Sequence, residues 1–243
     1  MRRKNANRNR TLILTAAAVV ILALILLVVW LKVFVVRSVV IEGGAELSHE
    51  EIVRASRIDF GGHITRVDED ELRMNLEGTG KYALDGVRIQ YPGTVILNVR
   101  QRTRDAIVLC GGYYLATDSD GYAIEAIKVL PEEGGVYVYG LNATGYRIGS
   151  RITAAEEGLE AMKSVLDAAK AFGGLQYLSD LNVENVDGIW ATTRTGIRVE
   201  FGSRENMEEK MRWLCSAVSD LEGRGQSRGT LDVSSGSKAD YKP

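Results

Sequence analysis

The sequence predicts an α+β protein with a single N-terminal transmembrane helix, a β-α-α-β-β domain, and then a β domain with a mixed sheet and two helices. Three observations support this fold class: a long uncharged apolar stretch, then short helices between alternating strands, then many short strands separated by glycine turns. The predicted parts are a cytoplasmic tail (1–10), the membrane helix (11–32), a first domain (33–104), a second domain (105–235) and a polar C-terminal tail (236–243).

The apolar stretch covers residues 11–31 and carries no charge. At about 1.5 Å of rise per residue, a helix of this length crosses the hydrocarbon core of a bilayer, which is about 30 Å thick. A cleavable signal peptide has a shorter apolar run and small residues at its cleavage site, but Trp30, Lys32, Phe34 and Arg37 stand there instead. The sequence therefore predicts a single-pass membrane protein.

The distribution of charge predicts the orientation and argues against one class of partner. Five basic residues precede the helix and only Lys32 and Arg37 follow it closely, so the N-terminus is expected in the cytoplasm and the long C-terminal part outside. Of the 30 Lys and Arg, 7 lie in residues 1–37, which contain no acid; the other 23 stand against 32 Asp and Glu, a net charge of −9. This acidic outer part argues against nucleic acid as a partner, because phosphate binding needs clustered Lys and Arg.

The first domain is predicted from alternation and from helix-start signals. A β-branched strand over 33–41 is followed by a helix that begins with the capping box of Ser48 and Glu51, and a second helix opens at Asp68. Two alternating strands then flank a Pro92-Gly93 turn, which is the pattern of a hairpin. The predicted order is strand, helix, helix, strand, strand.

Short strands with glycine turns begin after Arg104, and six tyrosines concentrate in this β region. One helix is predicted from a capping box at Thr153 to a stop at Gly173, and a last helix from a cap at Ser203. The final strand is predicted at Thr230 to Ser234, followed by the polar tail. Tyrosine is common in half-buried strands and is also enriched at interfaces, so the tyrosines allow an interaction surface here.

The residues that could carry chemistry form no recognisable catalytic, metal or cofactor motif, and no such site is predicted. His49 and His63 stand at a helix start or a turn, without a partner close in sequence. Asp118-Ser119-Asp120-Gly121 lacks the third acidic position before its glycine and the acidic residue six beyond it, so a hairpin turn is expected rather than a calcium loop. Cys110 and Cys215 are expected as small buried residues, and the sequence also allows a disulfide in an oxidising compartment.

The order of these parts resembles that of the FtsQ/DivIB family of bacterial cell-division proteins over nearly the whole chain. The first domain looks like a POTRA domain, from VFVVRSVVIEGG to GVRIQYPGTVILNVRQR, with the family's aromatic-proline turn at Tyr91-Pro92. Of the family's closing Glu-Arg-x-Pro pattern, only Arg102 is kept. In the second domain, YLATDSDGYAIE resembles the family's Asp-x-x-Gly hairpin, TGIRVEFGSRENMEEKMRWL its strand, turn and helix, and GTLDVSS its terminal strand.

The resemblance implies a non-enzymatic scaffold of the divisome, held in the cell membrane at the division septum. It implies contacts with FtsB/DivIC-like and FtsL-like coiled-coil division proteins and, through them, with the septal peptidoglycan synthase, and it implies no cofactor. Two other interpretations stay open. A membrane-anchored cell-wall enzyme would need a deep polar pocket with His49 or His63 beside a serine, cysteine or carboxylate. A POTRA-type secretion or assembly component would need several such modules or a following membrane barrel.

A partner-binding site is predicted at the last strand, because the edge of a sheet offers unpaired backbone groups to an added strand. The predicted partner-binding edge consists of Thr230, Leu231, Asp232, Val233 and Ser234. Backbone pairing is expected to supply the affinity, and the alternate side chains of Leu231 and Val233 the selectivity.

Overall fold

The computed structural model describes residues 2–43, 48–131 and 134–243, with side chains from Leu14 onwards. Within these ranges the chain is α+β, with an N-terminal apolar helix, mixed sheets and four further α-helices, so the predicted fold class is confirmed. The chain divides into two compact units, Met1–Leu76 with Leu84–Arg100 and Glu77–Ala83 with Gln101–Pro243. The domain borders drawn from the sequence stay a prediction.

The first unit begins with α1 (Arg2–Val33). Within this helix, Leu14–Val33 form a 20-residue stretch that is long and apolar enough to cross a membrane, and none of it is buried inside the protein. A soluble core helix would hide such a surface, so the exposure fits the predicted membrane anchor.

The first unit also contains most of a small sheet and of two short helices. Its strands are β1 (Ser38–Gly43), β2 (Tyr82–Gln90) and β3 (Thr94–Gln101), in the spatial order β1-β3-β2 with β1 and β3 parallel. Between β1 and β2 lie α2 (His49–Ser56), a 3₁₀ turn (Ile64–Arg66) and α3 (Glu69–Glu77). The order is the predicted β-α-α-β-β, and it follows from local signals such as the Ser48 cap, whose side chain accepts from the Glu51 N–H at 3.4 Å.

The second unit contains a nine-stranded mixed sheet. Its strands are β4 (Ala106–Cys110), β5 (Tyr113–Thr117), β6 (Ala123–Ile127), β7 (Val136–Tyr139), β8 (Leu178–Asn182), β9 (Ile189–Thr193), β10 (Arg198–Gly202), β11 (Thr230–Asp232) and β12 (Asp240–Lys242). Their spatial order is β12-β11-β10-β9-β8-β7-β4-β5-β6. Two 17-residue helices, α4 (Glu156–Phe172) and α5 (Met207–Gly223), lie on the connections from β7 to β8 and from β10 to β11.

The part of this sheet from β7 to β12 repeats one arrangement twice. In each copy a helix connects two parallel neighbours, and an antiparallel strand follows: β7-α4-β8-β9 and then β10-α5-β11-β12. β9 therefore holds in the first copy the place that β12 holds in the second. On its other side β9 pairs with β10, again antiparallel.

The large sheet has a covered side and an open side, because directly paired residues of neighbouring strands point to the same face. The apolar stripes of α4 and α5 pack on the covered side and share one core with its inward residues. These inward residues include Val108, Val138, Leu181, Ala191 and Val199, all of which are buried. The two helices thus lie on one side of the sheet, and the opposite side is the open side.

Two predicted helix starts are wrong, and one predicted helix stop is confirmed. Thr153 does not cap α4, because the N-cap is Ala155, which makes no side-chain cap bond. The Thr153 N–H instead donates to the Gly145 carbonyl at 2.8 Å in an antiparallel bridge. Ser203 does not cap α5, which begins after Asn206 in the left-handed conformation with φ at 52°. Gly173 ends α4 as predicted, with φ at 72°.

Candidate partner-binding edge of the large sheet

The strand predicted to be a partner-binding edge is an interior strand. β11 pairs in parallel with β10 on one side and antiparallel with β12 on the other. The prediction that residues 230–234 form the free rim of the sheet is therefore wrong. The cause lies in residues 236–243, predicted to be a polar tail, which fold back and add β12 to the sheet.

Leu231 and Val233, which were predicted to select the partner, point inwards. Both are buried in the core of the second unit, and the Val233 N–H donates to the Glu200 carbonyl at 3.0 Å. Thr230 and Asp232 alternate with them and are half-buried. The alternation of the strand thus sends its two apolar side chains into the core, where an added strand does not reach them.

Asp232 and Ser234, the other polar members of the predicted edge, form a local turn after β11. The Asp232 Oδ1 accepts from the Ser234 hydroxyl at 2.7 Å and from the Ser234 N–H at 2.9 Å. These two bonds hold the pKa of Asp232 below its usual range, with smaller contributions from the charges of Lys242 and Lys238. The carboxylate is therefore engaged within the chain.

β12 is the strand at this rim of the sheet. Tyr241 packs against the core and donates its hydroxyl to the Arg228 carbonyl, while Asp240 and Lys242 on either side of it are exposed. Gly229 makes room for this strand, because a Cβ there would lie 2.5 Å from the Lys242 carbonyl oxygen. Among the residues that the structure describes, no strand pairs with the outer side of β12.

The opposite rim of the large sheet is β6, and the chain itself covers its beginning. The Ala123 N–H donates to the Ser150 carbonyl at 3.0 Å, and Tyr122 forms an antiparallel bridge with Arg151. An incoming strand would have to displace these contacts. β12 is therefore the better candidate for strand addition.

The tyrosines of the β region are divided between the two sides of the sheet. Tyr114, Tyr137 and Tyr139 share the open side, whereas Tyr113 packs against the core. Burial raises the pKa of Tyr139, and the negative charge of Asp180 raises it further. An interaction surface on this open side stays a prediction.

The two histidines lie in the first unit. His63 and Ser56 both line a cavity of about 110 Å³ that also has acidic residues in its wall. The His63 Nδ1, however, is 2.8 Å from the Thr65 hydroxyl, and the Ser56 hydroxyl donates to the Val53 carbonyl at 2.8 Å. The two side chains thus bond to different partners, and the other ring nitrogen of His63, Nε2, is buried without a hydrogen-bond partner in the described part of the chain. His49 is exposed at the start of α2.

Cys110 is buried, Cys215 is half-buried, and both are free thiols. Burial raises the pKa of Cys215, whose sulfur lies 3.6 Å from the Phe172 carbonyl oxygen. The sequence allowed either small packed cysteines or a disulfide, and the structure shows small packed cysteines. Within the described ranges, no group of three or more His, Cys, Asp or Glu is placed to hold a metal ion.

The predicted hairpin turn at Asp118 to Gly121 is present and contains a buried ion pair that the sequence pattern did not reveal. The Gly121 N–H donates to the Asp118 carbonyl at 3.0 Å, and Gly121 has φ at 82°. An Asp118 carboxylate oxygen lies 2.5 Å from a guanidinium nitrogen of Arg102. Arg102, the one residue that keeps the Glu-Arg-x-Pro pattern at the end of the POTRA-like stretch, therefore forms an ion pair with the turn after β5.

No known protein family matches the sequence, and no curated protein is significantly similar to it. Among solved structures, the chain is similar to the major extracytoplasmic domain of the trans isomer of the cell-division protein DivIB from Geobacillus stearothermophilus. The identity is 14%, the TM-score is 0.32, and the match covers 50% of this chain and 95% of that domain. A likeness of this degree carries no argument about function.

Proposed function

We propose that the protein is a membrane-anchored, non-enzymatic scaffold of bacterial cell division of the FtsQ/DivIB type. In this proposal α1 spans the cell membrane with its N-terminus in the cytoplasm, and both compact units lie on the extracytoplasmic side at the division septum. They bind FtsB/DivIC-like and FtsL-like coiled-coil proteins, and these connect the scaffold to the septal peptidoglycan synthase.

The order of parts along the chain supports this proposal. An exposed apolar helix, a β-α-α-β-β order and a mixed sheet with two helices are what the resemblance to this family leads us to expect. The basic residues before the helix and the acidic excess after it support the orientation. The separate partners of His63 and Ser56 favour a scaffold over a cell-wall hydrolase.

The observation that carries the proposal is the outer side of β12, which has no strand partner in the described part of the sheet. β9, its counterpart in the first copy of the repeated arrangement, receives β10 on the corresponding side in antiparallel pairing. By the same geometry, a partner segment added to β12 would run antiparallel to it and extend the sheet. The docking strand is then β12 and not the predicted β11.

The length and the charges of β12 define the partner that it accepts. A three-residue strand offers few backbone hydrogen bonds, so a stable complex needs further contacts next to the added strand. Asp240 forms an exposed ion pair with Lys238 at 2.6 Å, and Lys242 is exposed. We expect the partner segment to place a carboxylate opposite Lys242, because unlike charges directly opposite each other favour strand pairing.

Proline scanning of β12 in the full chain tests the docking strand. Proline removes a backbone N–H, and along a strand the N–H groups alternate between the inner and the outer side. The amount of an FtsB/DivIC-like partner that is captured should therefore differ between variants with proline at Asp240 or Lys242 and the variant with proline at Tyr241. Asp240→Ala keeps the N–H at an exposed position and should retain capture. Equal capture by all three proline variants would contradict the proposal.

Deletion of residues 236–243 separates the two possible docking strands. Capture should fall if the partner pairs with β12, whereas unchanged or stronger capture would assign docking to an uncovered β11. A fluorescent fusion of the full chain tests the division role itself. It should concentrate at the septum of dividing cells, and an even distribution along the membrane would refute the role.

A further inference from the structure

Residues 34–36, which follow α1, are held on one side by backbone hydrogen bonds to residues 62–64. The Phe34 carbonyl accepts from the Ile64 N–H at 2.9 Å, and the Val36 N–H donates to the Gly62 carbonyl at 2.9 Å. Between these bonds, position 35 forms an antiparallel bridge with position 63. Since residues 34–36 lead away from the end of the helix, the antiparallel segment 62–64 runs back towards it.

His63 shows how far this segment returns. Its ring centroid lies 4.0 Å from that of Trp30. Trp30 stands three residues before the end of α1 at Val33, which is about 4.5 Å along the helix axis. Because Leu14–Val33 is the apolar stretch, His63 lies beside the last turn of that stretch. In a helix that spans a bilayer, this last turn is where hydrocarbon gives way to headgroups.

The turn between β2 and β3 is held beside the same part of the chain. The Gly93 carbonyl accepts from the Arg37 N–H at 2.8 Å, and a Cβ on Gly93 would lie 2.5 Å from the Val35 carbonyl oxygen. The rings of Tyr91 and Phe34 meet edge-on with their centroids 5.8 Å apart. Tyr91 nevertheless remains 62% exposed, so its free surface lies next to the end of the membrane helix.

The exposed groups around this point have the chemistry of a membrane surface. Tyr and Trp are enriched where a bilayer meets water, and Lys and Arg are attracted to anionic headgroups. Trp30 and Tyr91 supply the aromatic rings. Lys32, Arg37 and Arg66 supply exposed positive charges, and Asp59 and Asp68 are the exposed acids next to segment 62–66.

We infer that the 3₁₀ turn at Ile64–Arg66 and the turn at residues 91–93 lie in the headgroup layer of the bilayer that α1 spans. The partner of this surface is the anionic bilayer interface. The first unit is then fixed to the membrane at three points, the helix end and the two turns, and does not swing on a linker. The inference rests on the proposed function only in taking α1 as a membrane-spanning helix.

Depth-dependent quenching in nanodiscs of phosphatidylethanolamine and phosphatidylglycerol tests the inference on the full chain. Thr65→Cys and Tyr91→Cys carry an environment-sensitive fluorophore, and the native thiols are replaced by alanine. Asn98→Cys is the matched control, since Asn98 is exposed and lies four residues beyond Thr94 on β3, about 13 Å along the strand. Lipids with a nitroxide at headgroup level should quench positions 65 and 91 several-fold more than position 98. Equal quenching at the three positions would overturn the inference.

A probe at Leu24, in the middle of α1, distinguishes this inference from the proposed function. Quenching at Leu24 by a nitroxide deep in the acyl chains, without quenching at residues 65 and 91, would refute the surface contact and leave the anchored scaffold standing. No quenching at Leu24 would refute both.

The unmodified chain gives a second measurement that needs no substitution. Lipids that carry a paramagnetic chelate on the headgroup should broaden the amide signals of Thr65 and Tyr91 and spare that of Asn98. Unbroadened signals at Thr65 and Tyr91 would overturn the inference even if a labelled variant failed to fold.

Discussion

Removal of the Arg102 guanidinium should strongly destabilise the second unit. The Arg102 side chain is 2% exposed and that of Asp118 is 5% exposed, and the two are 2.5 Å apart. The guanidinium also lies over the Tyr122 ring, 4.0 Å from its centroid, and the Tyr122 N–H donates to the second carboxylate oxygen of Asp118 at 2.8 Å. Arg102→Leu would leave Asp118 as a buried charge without its counter-ion.

The size of the effect follows from this burial. Breaking a buried ion pair by removing one partner costs about 3–5 kcal/mol in the free energy of unfolding. In a chain of 150–250 residues, each kcal/mol shifts the melting temperature by about 2–4 °C, so Arg102→Leu should lower it by about 6–20 °C. Urea unfolding of the full chain in detergent measures the loss directly, with Trp190 and Trp213 of the second unit as fluorescent reporters.

Arg104→Leu is the matched control, because Arg104 forms an ion pair with Glu125 in which the side chains are 52% and 48% exposed. An exposed pair of this kind contributes about 0–1 kcal/mol. Adding Asp118→Asn to Arg102→Leu should recover part of the loss, since the charge disappears and the bond from the Tyr122 N–H can remain. Equal losses for Arg102→Leu and Arg104→Leu, or no recovery in the double variant, would refute the reasoning.

Two further predictions concern charged groups of the second unit. Lys210 is buried and donates to the Ser203 carbonyl at 2.8 Å, and burial lowers its pKa, so the unfolded chain binds more protons in the window below the ordinary value of 10.5. The free energy of unfolding should therefore contain a contribution from Lys210 that rises with pH through this window. Lys210→Met should abolish this contribution. Identical curves of unfolding free energy against pH for the native chain and Lys210→Met would contradict the prediction. Ser234→Ala removes the main cause of the lowered pKa of Asp232, so the carboxyl pKa followed by carbon-13 NMR should rise towards its ordinary value. The Asp232 carboxylate contributes stability that is lost as pH falls through its folded-state pKa, and this contribution should become smaller in Ser234→Ala. An unchanged titration of Asp232 would exclude the Ser234 hydroxyl bond as the cause of the lowered pKa.

Local patterns predicted most of the fold. The Ser48 cap and the Gly173 stop depend on residues within one helical turn, and both predictions agree with the structure. The apolar stripe of α5 likewise follows from spacing alone and lies in the core. Thr153 does not cap α4 because the helix begins only at Glu156. Thr153 instead pairs with Gly145, eight positions earlier, and no local pattern contains that bridge.

The candidate site was less predictable for the same reason. β12 is a three-residue polar strand without an alternating apolar pattern, and it forms because it pairs with β11. The sequence therefore placed the rim one strand too early, at residues 230–234. The sequence marks Arg102 only through the partly kept Glu-Arg-x-Pro pattern, because its partner Asp118 lies 16 residues away.

The chain passes from one compact unit to the other three times, after Leu76, after Ala83 and after Arg100. Neither unit can thus be obtained as one uninterrupted fragment. A piece that begins at residue 105 lacks Tyr82 and Ala83, which are buried members of the unit it was meant to contain. Such a truncation therefore removes part of the larger unit itself, so a lost interaction in such a fragment does not by itself locate a binding site.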